Sequence, residues 1–198
     1  MANFGELVLL LGDLHIPHRS TGIPDKFRRM LVPNKMQHLI CTGNVGCKDT
    51  YEQLRSLAPN IHIVSGDFEA VNTNGVGGSS VSYPETKVIQ VGQFRIGVIH
   101  GHQVIPFGDH KSLAMIRRKL DVDILVNGHT HKQEVVKHEG HFHINPGSIT
   151  GAYSSVERNV TPSFILLAIQ GTKVVCYVYE LIDGEVDVSK TEFNKGDC

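Results

Sequence analysis

Apolar residues fall along this chain in short, dense runs, and five of the runs end on polar residues of one chemical kind. LVLLLGDLH ends on Asp13 and His15, HLICTGN on Asn44, IHIVSGD on Asp67, RIGVIHGH on His100 and His102, and DILVNGHTH on His129 and His131. Each run has the length and branched-residue content of a buried strand. In open α/β sheets, ligands collect beyond the carboxyl ends of the strands. The pattern therefore predicts that two Asp, an Asn and several His meet at one rim of one sheet.

The stretches between the runs fill in the rest. Residues 7–12 read as the first strand, and Pro24 opens a short amphipathic helix, PDKFRRML, that stops near Pro33. A second strand is predicted over 38–42. Asp49 and Glu52 form a capping-box pattern ahead of a helix through Leu57, which ends at Pro59. A third strand covers 61–65. The segment 71–82, VNTNGVGGSSVS, reads as a flexible surface insertion. From there hairpins dominate. KVIQV and FRIGVIH flank Gly92-Gln93. A helix at about 111–120 precedes DILVNG, residues 133–138 and 141–144 pair around Glu139-Gly140, and SFILLAI pairs with KVVCYVYEL around Gln170-Gly171-Thr172. EVDVSK is the last predicted strand, with a tail from about 190 to 198. Alternating β and α followed by hairpins predicts an α/β fold of two packed sheets with helices outside. No internal repeat or linker divides residues 1–198, so a single domain is expected.

Composition narrows the function classes. Apolar residues make up 40% and charged residues 20% of the 198, as in a folded globular chain. The net charge is −1 and no basic stripe is present, which leaves nucleic-acid binding without electrostatic support. No run approaches the ~18 apolar residues of a membrane span, and the N-terminus lacks a basic n-region, so a cytosolic protein without direct membrane insertion is expected. Cys41 and Cys176 lie in apolar runs and read as buried thiols of a reducing compartment.

An Asp-x-His pair at a strand end turns both side chains toward one point, because alternate strand positions share a face. Gly12 is expected to let the backbone turn sharply there. Asp13, His15, Asn44, Asp67, His100, His129 and His131 together can supply two metal centres a few ångströms apart. His, Asp and Asn without Cys suit Zn, Mn or Fe. Paired metals polarise a phosphoryl oxygen and activate a water for in-line attack. His18, His38, His62, His110, His138, His141 and His143 have no motif context and read as structural.

The ordered set Asp13-x-His15, Gly43-Asn44, Gly66-Asp67, His100 and Gly128-His129-x-His131 resembles the calcineurin-like metallophosphoesterases. The resemblance covers the whole chain. It implies an αββα sandwich of two packed mixed sheets flanked by helices. Two departures stand out. Where active enzymes of that family place a metal-bridging Asp, this chain has Asn44. Where they often place the His that protonates the leaving group, it has Phe68. A phenyl ring carries no proton. GDLHIPHR, CTGN, VGQFRIGVIHGHQVIP and INPGSITGAY resemble in particular the small retromer subunits, a scaffold branch of the family. That resemblance implies a non-catalytic protein with Zn or Mn bound weakly or not at all, peripheral on endosomal membranes. Its partner would be the α-solenoid of vacuolar protein sorting protein 35, met through exposed Val104, Ile105 and Phe107. A second apolar surface around Leu166, Tyr177 and Tyr179 would dock regulators. A working dinuclear phosphoesterase acting on a small phosphodiester or phosphoprotein remains the alternative, kept open by Asp13, His15, His100, His129 and His131.

Overall fold

The computed structural model describes residues 5–72 and 82–196. Two mixed sheets face one another. The first takes the order β11-β10-β9-β1-β2-β3. Its strands are β1 (Glu6–Leu11), β2 (His38–Cys41), β3 (Asn60–Ile63), β9 (Ser163–Gln170), β10 (Lys173–Ile182) and β11 (Glu185–Asn194). The second takes the order β4-β5-β6-β8-β7. It is built from β4 (Thr86–Val91), β5 (Phe94–Ile99), β6 (Ile124–Val126), β7 (Gln133–His138) and β8 (His141–Pro146). β1, β2 and β3 run parallel, as do β5, β6 and β8, while the hairpin strands are antiparallel.

The apolar runs are continuous because their strands are covered on both faces. Val8 and Leu10 enter the core between the sheets with Ile96, Val98, Ile165 and Leu167. Leu9 and Leu11 point the other way, into a second core beneath α1 (Asp25–Met30) and α2 (Lys48–Arg55). On the far side, α4 (His110–Leu120) closes a third cluster through Leu113 against Ile99 and Leu125. The αββα layering expected from the sequence is the layering found.

Three local expectations are corrected. The helix at Asp49 begins earlier, because Cys47 takes the extended N-cap conformation and makes no side-chain cap bond, leaving Asp49 within the first turn. There Asp49 complements the helix dipole instead of capping it. A short, unexpected helix, α3 (Asp67–Asn72), starts at a candidate ligand and enters the first two residues of the expected insertion 71–82; residues 73–81 of that insertion lie outside the described residues. The expected tail from 190 is strand as far as Asn194, because Phe193 is buried and stacks on Phe142 at 3.6 Å, which holds the ladder together.

Candidate metal centre

The parallel strands of both sheets deliver their following loops to one place. Asp13 and His15 follow β1, Asn44 follows β2, Asp67 follows β3, His100 follows β5, and His129 and His131 follow β6. Side-chain donor atoms of Asp13, His15 and His131 lie within 4.8 Å of one another, and so do those of Asp67, His100 and His129. These are two adjacent three-residue groups, each able to hold one ion. Asn44 stands between them. Its Nδ2 is 2.8 Å from Asp67 Oδ1, 3.1 Å from His100 Nε2, 3.3 Å from His15 Nε2 and 3.5 Å from Asp13 Oδ1. His102 stays at the margin, its ring centroid 5.3 Å from that of His100.

The backbone shapes the centre as much as the side chains do. Five of the seven candidates have left-handed backbone: Asp13, His15, Asn44, His129 and His131. Outside glycine and a few Asn or Asp this conformation is uncommon and costs energy. Surrounding bonds hold it in place. The amide of Asp13 donates to Gly43 O and that of His15 to Asn44 O, which ties the β1 loop to the β2 loop. Gly43 takes φ 109°, as the turn requires. Gly12 serves otherwise than expected. Its φ is unexceptional, and it is needed because a Cβ there would stand 1.8 Å from Thr42 Oγ1.

A second layer aims the imidazoles. Nδ1 of His100 lies 2.7 Å from Thr42 O, and Nδ1 of His131 lies 2.6 Å from Ala152 O. Each Nδ1–H therefore donates to a carbonyl, which turns Nε2 toward the centre, as in metal-binding histidines; Nε2 of His100 there meets Asp67 Oδ1 at 3.0 Å. The Asp13 carboxylate accepts from the His129 amide at 2.9 Å, and Ser148 Oγ donates to Asp13 O at 2.7 Å. Glu69 was not among the residues singled out by sequence. Its carboxylate accepts the backbone N–H groups of Asn44, Val45 and Gly66 at 3.1, 2.6 and 2.8 Å, clamping the β2 and β3 loops together. Its only signal was a carboxylate two positions after Asp67.

Asn44 is oriented against bridging. The Phe68 amide donates to Asn44 Oδ1 at 3.1 Å, so the NH2 end points between the two groups. An amide nitrogen offers hydrogens there, not a lone pair. Turning Oδ1 inward would forfeit the Phe68 bond. Phe68 itself packs beside His15 and His18, at 5.8 and 4.9 Å between ring centroids. The place of a proton donor is filled by hydrocarbon.

Electrostatics follow burial. The hydrogen bond from His100 holds Asp67 well below the usual carboxylate range. Burial works against charge on His100, yet the bond to Asp67 and the nearby Asp13 raise it. Burial lowers His15 to about 4. The same effect away from the centre lowers His62 and His143, each to about 4. Between that value and the ordinary 6.5, these three rings bind protons in the unfolded chain but not in the folded one. His100 and Asp67 do not change state in that window, since one shift lies above it and the other below. Stability is therefore expected to fall as the pH drops from about 6.5 toward 4. Urea unfolding at about pH 7 and about pH 5 checks this, and an unchanged midpoint refutes it.

The expected interface residues divide. Ile105 is 79% exposed and Phe107 46%, the latter with its ring 4.4 Å from that of His129. Val104 does not join them. It is buried at 2%, packed with Leu113 under α4, because its amide turns back to Gly101 O and carries the side chain inward. Exposed Val156, unnoticed in the sequence, lines a cleft of about 610 Å³ with Phe107 and His131, and exposed Tyr153, three residues earlier, lies against Arg19. Leu166 and Tyr177 face each other across β9 and β10, half-buried, and Tyr179 stacks on Phe164 at 4.6 Å.

Layered mixed sheets with a two-part His/Asp centre at their strand ends define a metallophosphoesterase class of fold. The sequence profile of the calcineurin-like phosphoesterase superfamily domain matches residues 7–172. The chain belongs to that superfamily and, within it, to the vacuolar protein sorting 29 group. It is 38% identical over 193 residues to vacuolar protein sorting-associated protein 29 of Schizosaccharomyces pombe, covering 96% of this chain and 98% of that one. The structure of vacuolar protein sorting 29 from Cryptosporidium parvum superposes with a TM-score of 0.90 at 46% identity, over 97% of this chain and all of the other. The protein of that name from Entamoeba histolytica, crystallised with Zn²⁺, gives 0.86 at 47% identity, over 95% and 99% of the two chains.

Proposed function

We propose that this chain is a non-catalytic scaffold subunit of the retromer, acting in retrieval of cargo from endosomes to the Golgi or plasma membrane. Its pocket face seats in the C-terminal α-solenoid of vacuolar protein sorting protein 35. The observation that carries this reading is the rim beside the metal centre. Phe107 and Val156 are exposed apolar side chains lining one cleft, Ile105 and Tyr153 are exposed nearby in the same two loops, and apolar groups concentrated on a surface mark an interaction site. The chain is peripheral on endosomal membranes through that complex; among the described residues no helix is long and apolar enough to cross a bilayer. The half-buried face of Leu166, Tyr177 and Tyr179 receives regulators.

The centre itself fits a weakly held Zn²⁺ or Mn²⁺, with Asp13, His15 and His131 around one ion and Asp67, His100 and His129 around the other. Nε2 of His15 and Nε2 of His131 face each other at 3.2 Å, two ring nitrogens set where one ion could take both. When bound, such ions would supply Lewis acidity. This chain's own residues then contribute little to turnover, since Asn44 presents N–H and Phe68 cannot give a proton. No significant hydrolysis of phosphomonoesters or phosphodiesters is expected with Mn²⁺ or Zn²⁺ present. Loss of general-acid catalysis alone costs about 10²–10⁴-fold. The double change Asn44→Asp with Phe68→His is expected to raise turnover to a trace level. Robust metal-dependent turnover by the unaltered chain, abolished by Asp13→Ala, would make it an enzyme and overturn the scaffold reading. The direct test is co-elution with the solenoid subunit on size exclusion; separate elution at micromolar concentrations sinks the proposal.

A further inference from the structure

The cleft beside the centre is apolar only in part. Phe107 and Val156 line it, and so do Glu157, Glu180 and Lys132. Strand alternation fixes where Glu180 stands. Val174, Cys176 and Val178 precede it on the same face of β10 and lie in the core between the sheets, while Tyr177 and Tyr179 take the other face. Glu180 therefore ends a buried row, where the space between the sheets meets the cleft. Asp187 stands directly across from it on β11. Paired residues of neighbouring strands share a face, so two like charges meet there, an arrangement that destabilises a sheet.

The chain itself leaves this charge uncompensated. Among the described residues, Glu157, Glu180 and Asp187 take part in no ion pair, and Lys132 pairs with none of them. The Glu157 carboxylate accepts a local amide, that of Asn159, at 3.0 Å. In the free protein solvent screens such charges, and their mutual repulsion is small. Under a partner the balance changes, because a carboxylate stripped of water needs a counter-charge. A solenoid seated on Phe107 and Val156 lies against the cleft that Glu157 and Glu180 also line, so the cation has to come from the solenoid. Lys and Arg have the right form for this place, an apolar stem below a charged head, matching apolar and acidic residues in one cleft.

We propose that this cleft receives a basic side chain of the solenoid, its stem against Phe107 and Val156 and its charge against Glu180 and Glu157. The proposal rests on the scaffold reading and adds the chemistry by which the partner is chosen. An apolar rim alone accepts many surfaces. A rim joined to uncompensated carboxylates rejects any that would cover them without a cation, which is how specificity is gained from the cost of wrong partners.

Calorimetry of the full chain with the solenoid subunit, at low and at high salt, tests this. The parent complex is expected to weaken as salt rises. Glu157→Gln combined with Glu180→Gln should raise Kd by about 10-fold or more and flatten that salt dependence, and Glu180→Arg should raise Kd by about 100-fold. Gln keeps an oxygen for the Asn159 amide, so the melting midpoint of the double variant should not move. If Glu180→Arg lowers the midpoint, Glu157→Arg replaces it. A double variant with the parent's Kd and salt dependence overturns the proposal. So does a raised Kd with the salt dependence unchanged, since packing and not charge would then have been lost. Should Ile105→Asp abolish binding in either case, the scaffold reading stands without the basic side chain. A parent chain that does not bind the solenoid at all overturns both.

Discussion

Ile105→Asp is expected to abolish co-elution with the solenoid subunit of retromer while leaving the thermal midpoint of the isolated chain unchanged. Ile105 is 79% exposed, so the substitution adds a charge to solvent in the free protein and disturbs no core contact. In the complex the same carboxylate would be buried against apolar groups without a counter-charge. An uncompensated buried charge costs about 3–5 kcal/mol, which raises a Kd by about 10²–10³-fold or more. Val104→Asp provides the contrast. Val104 is buried with Leu113 under α4, so that variant should lose stability whether or not it loses the partner. Normal co-elution of a well-folded Ile105→Asp protein would remove this loop from the interface.

The second large effect falls on Glu69. Glu69→Ala leaves the amides of Asn44, Val45 and Gly66 without their acceptor. Each unmatched, partly buried N–H costs about 1–3 kcal/mol, less where water can enter, so a loss of roughly 3 kcal/mol or more is expected. Chemical denaturation measures it directly. Because the same clamp sets the β2 loop against the β3 loop, Zn²⁺ affinity measured by calorimetry should fall with it. Glu69→Gln retains an acceptor oxygen and should recover part of the stability. A Glu69→Ala protein as stable as the parent would show that water replaces the clamp at no cost.

The strands were legible because each carries its burial in its own composition: ELVLLL must be covered on both faces, and it is. The candidate centre was legible because ligand residues recur at strand ends, a signal that survives without coordinates. What escaped depends on partners distant in sequence. Nothing near Phe193 announces that it will stack on Phe142 and carry β11 past the expected tail. Val104 and Ile105 are adjacent and equally apolar, and only the turn back to Gly101 decides which is buried. Glu69 reads as an ordinary helix residue until three amides converge on it.

Five of the seven candidate ligands hold left-handed backbone, and the protein's own bonds brace it, the Asp13 and His15 amides on the β2 loop and the His129 amide on the Asp13 carboxylate. The pocket thus behaves as a cast that holds its contour by its own walls. Exchange of a single donor, as at Asn44, alters the chemistry of the cavity and leaves its outline standing. A partner that docks on such a stiff rim finds its target already set, and little disorder has to be frozen out on association. The mouth of a pocket so braced is a dependable surface for another protein to grip, whatever chemistry its floor retains.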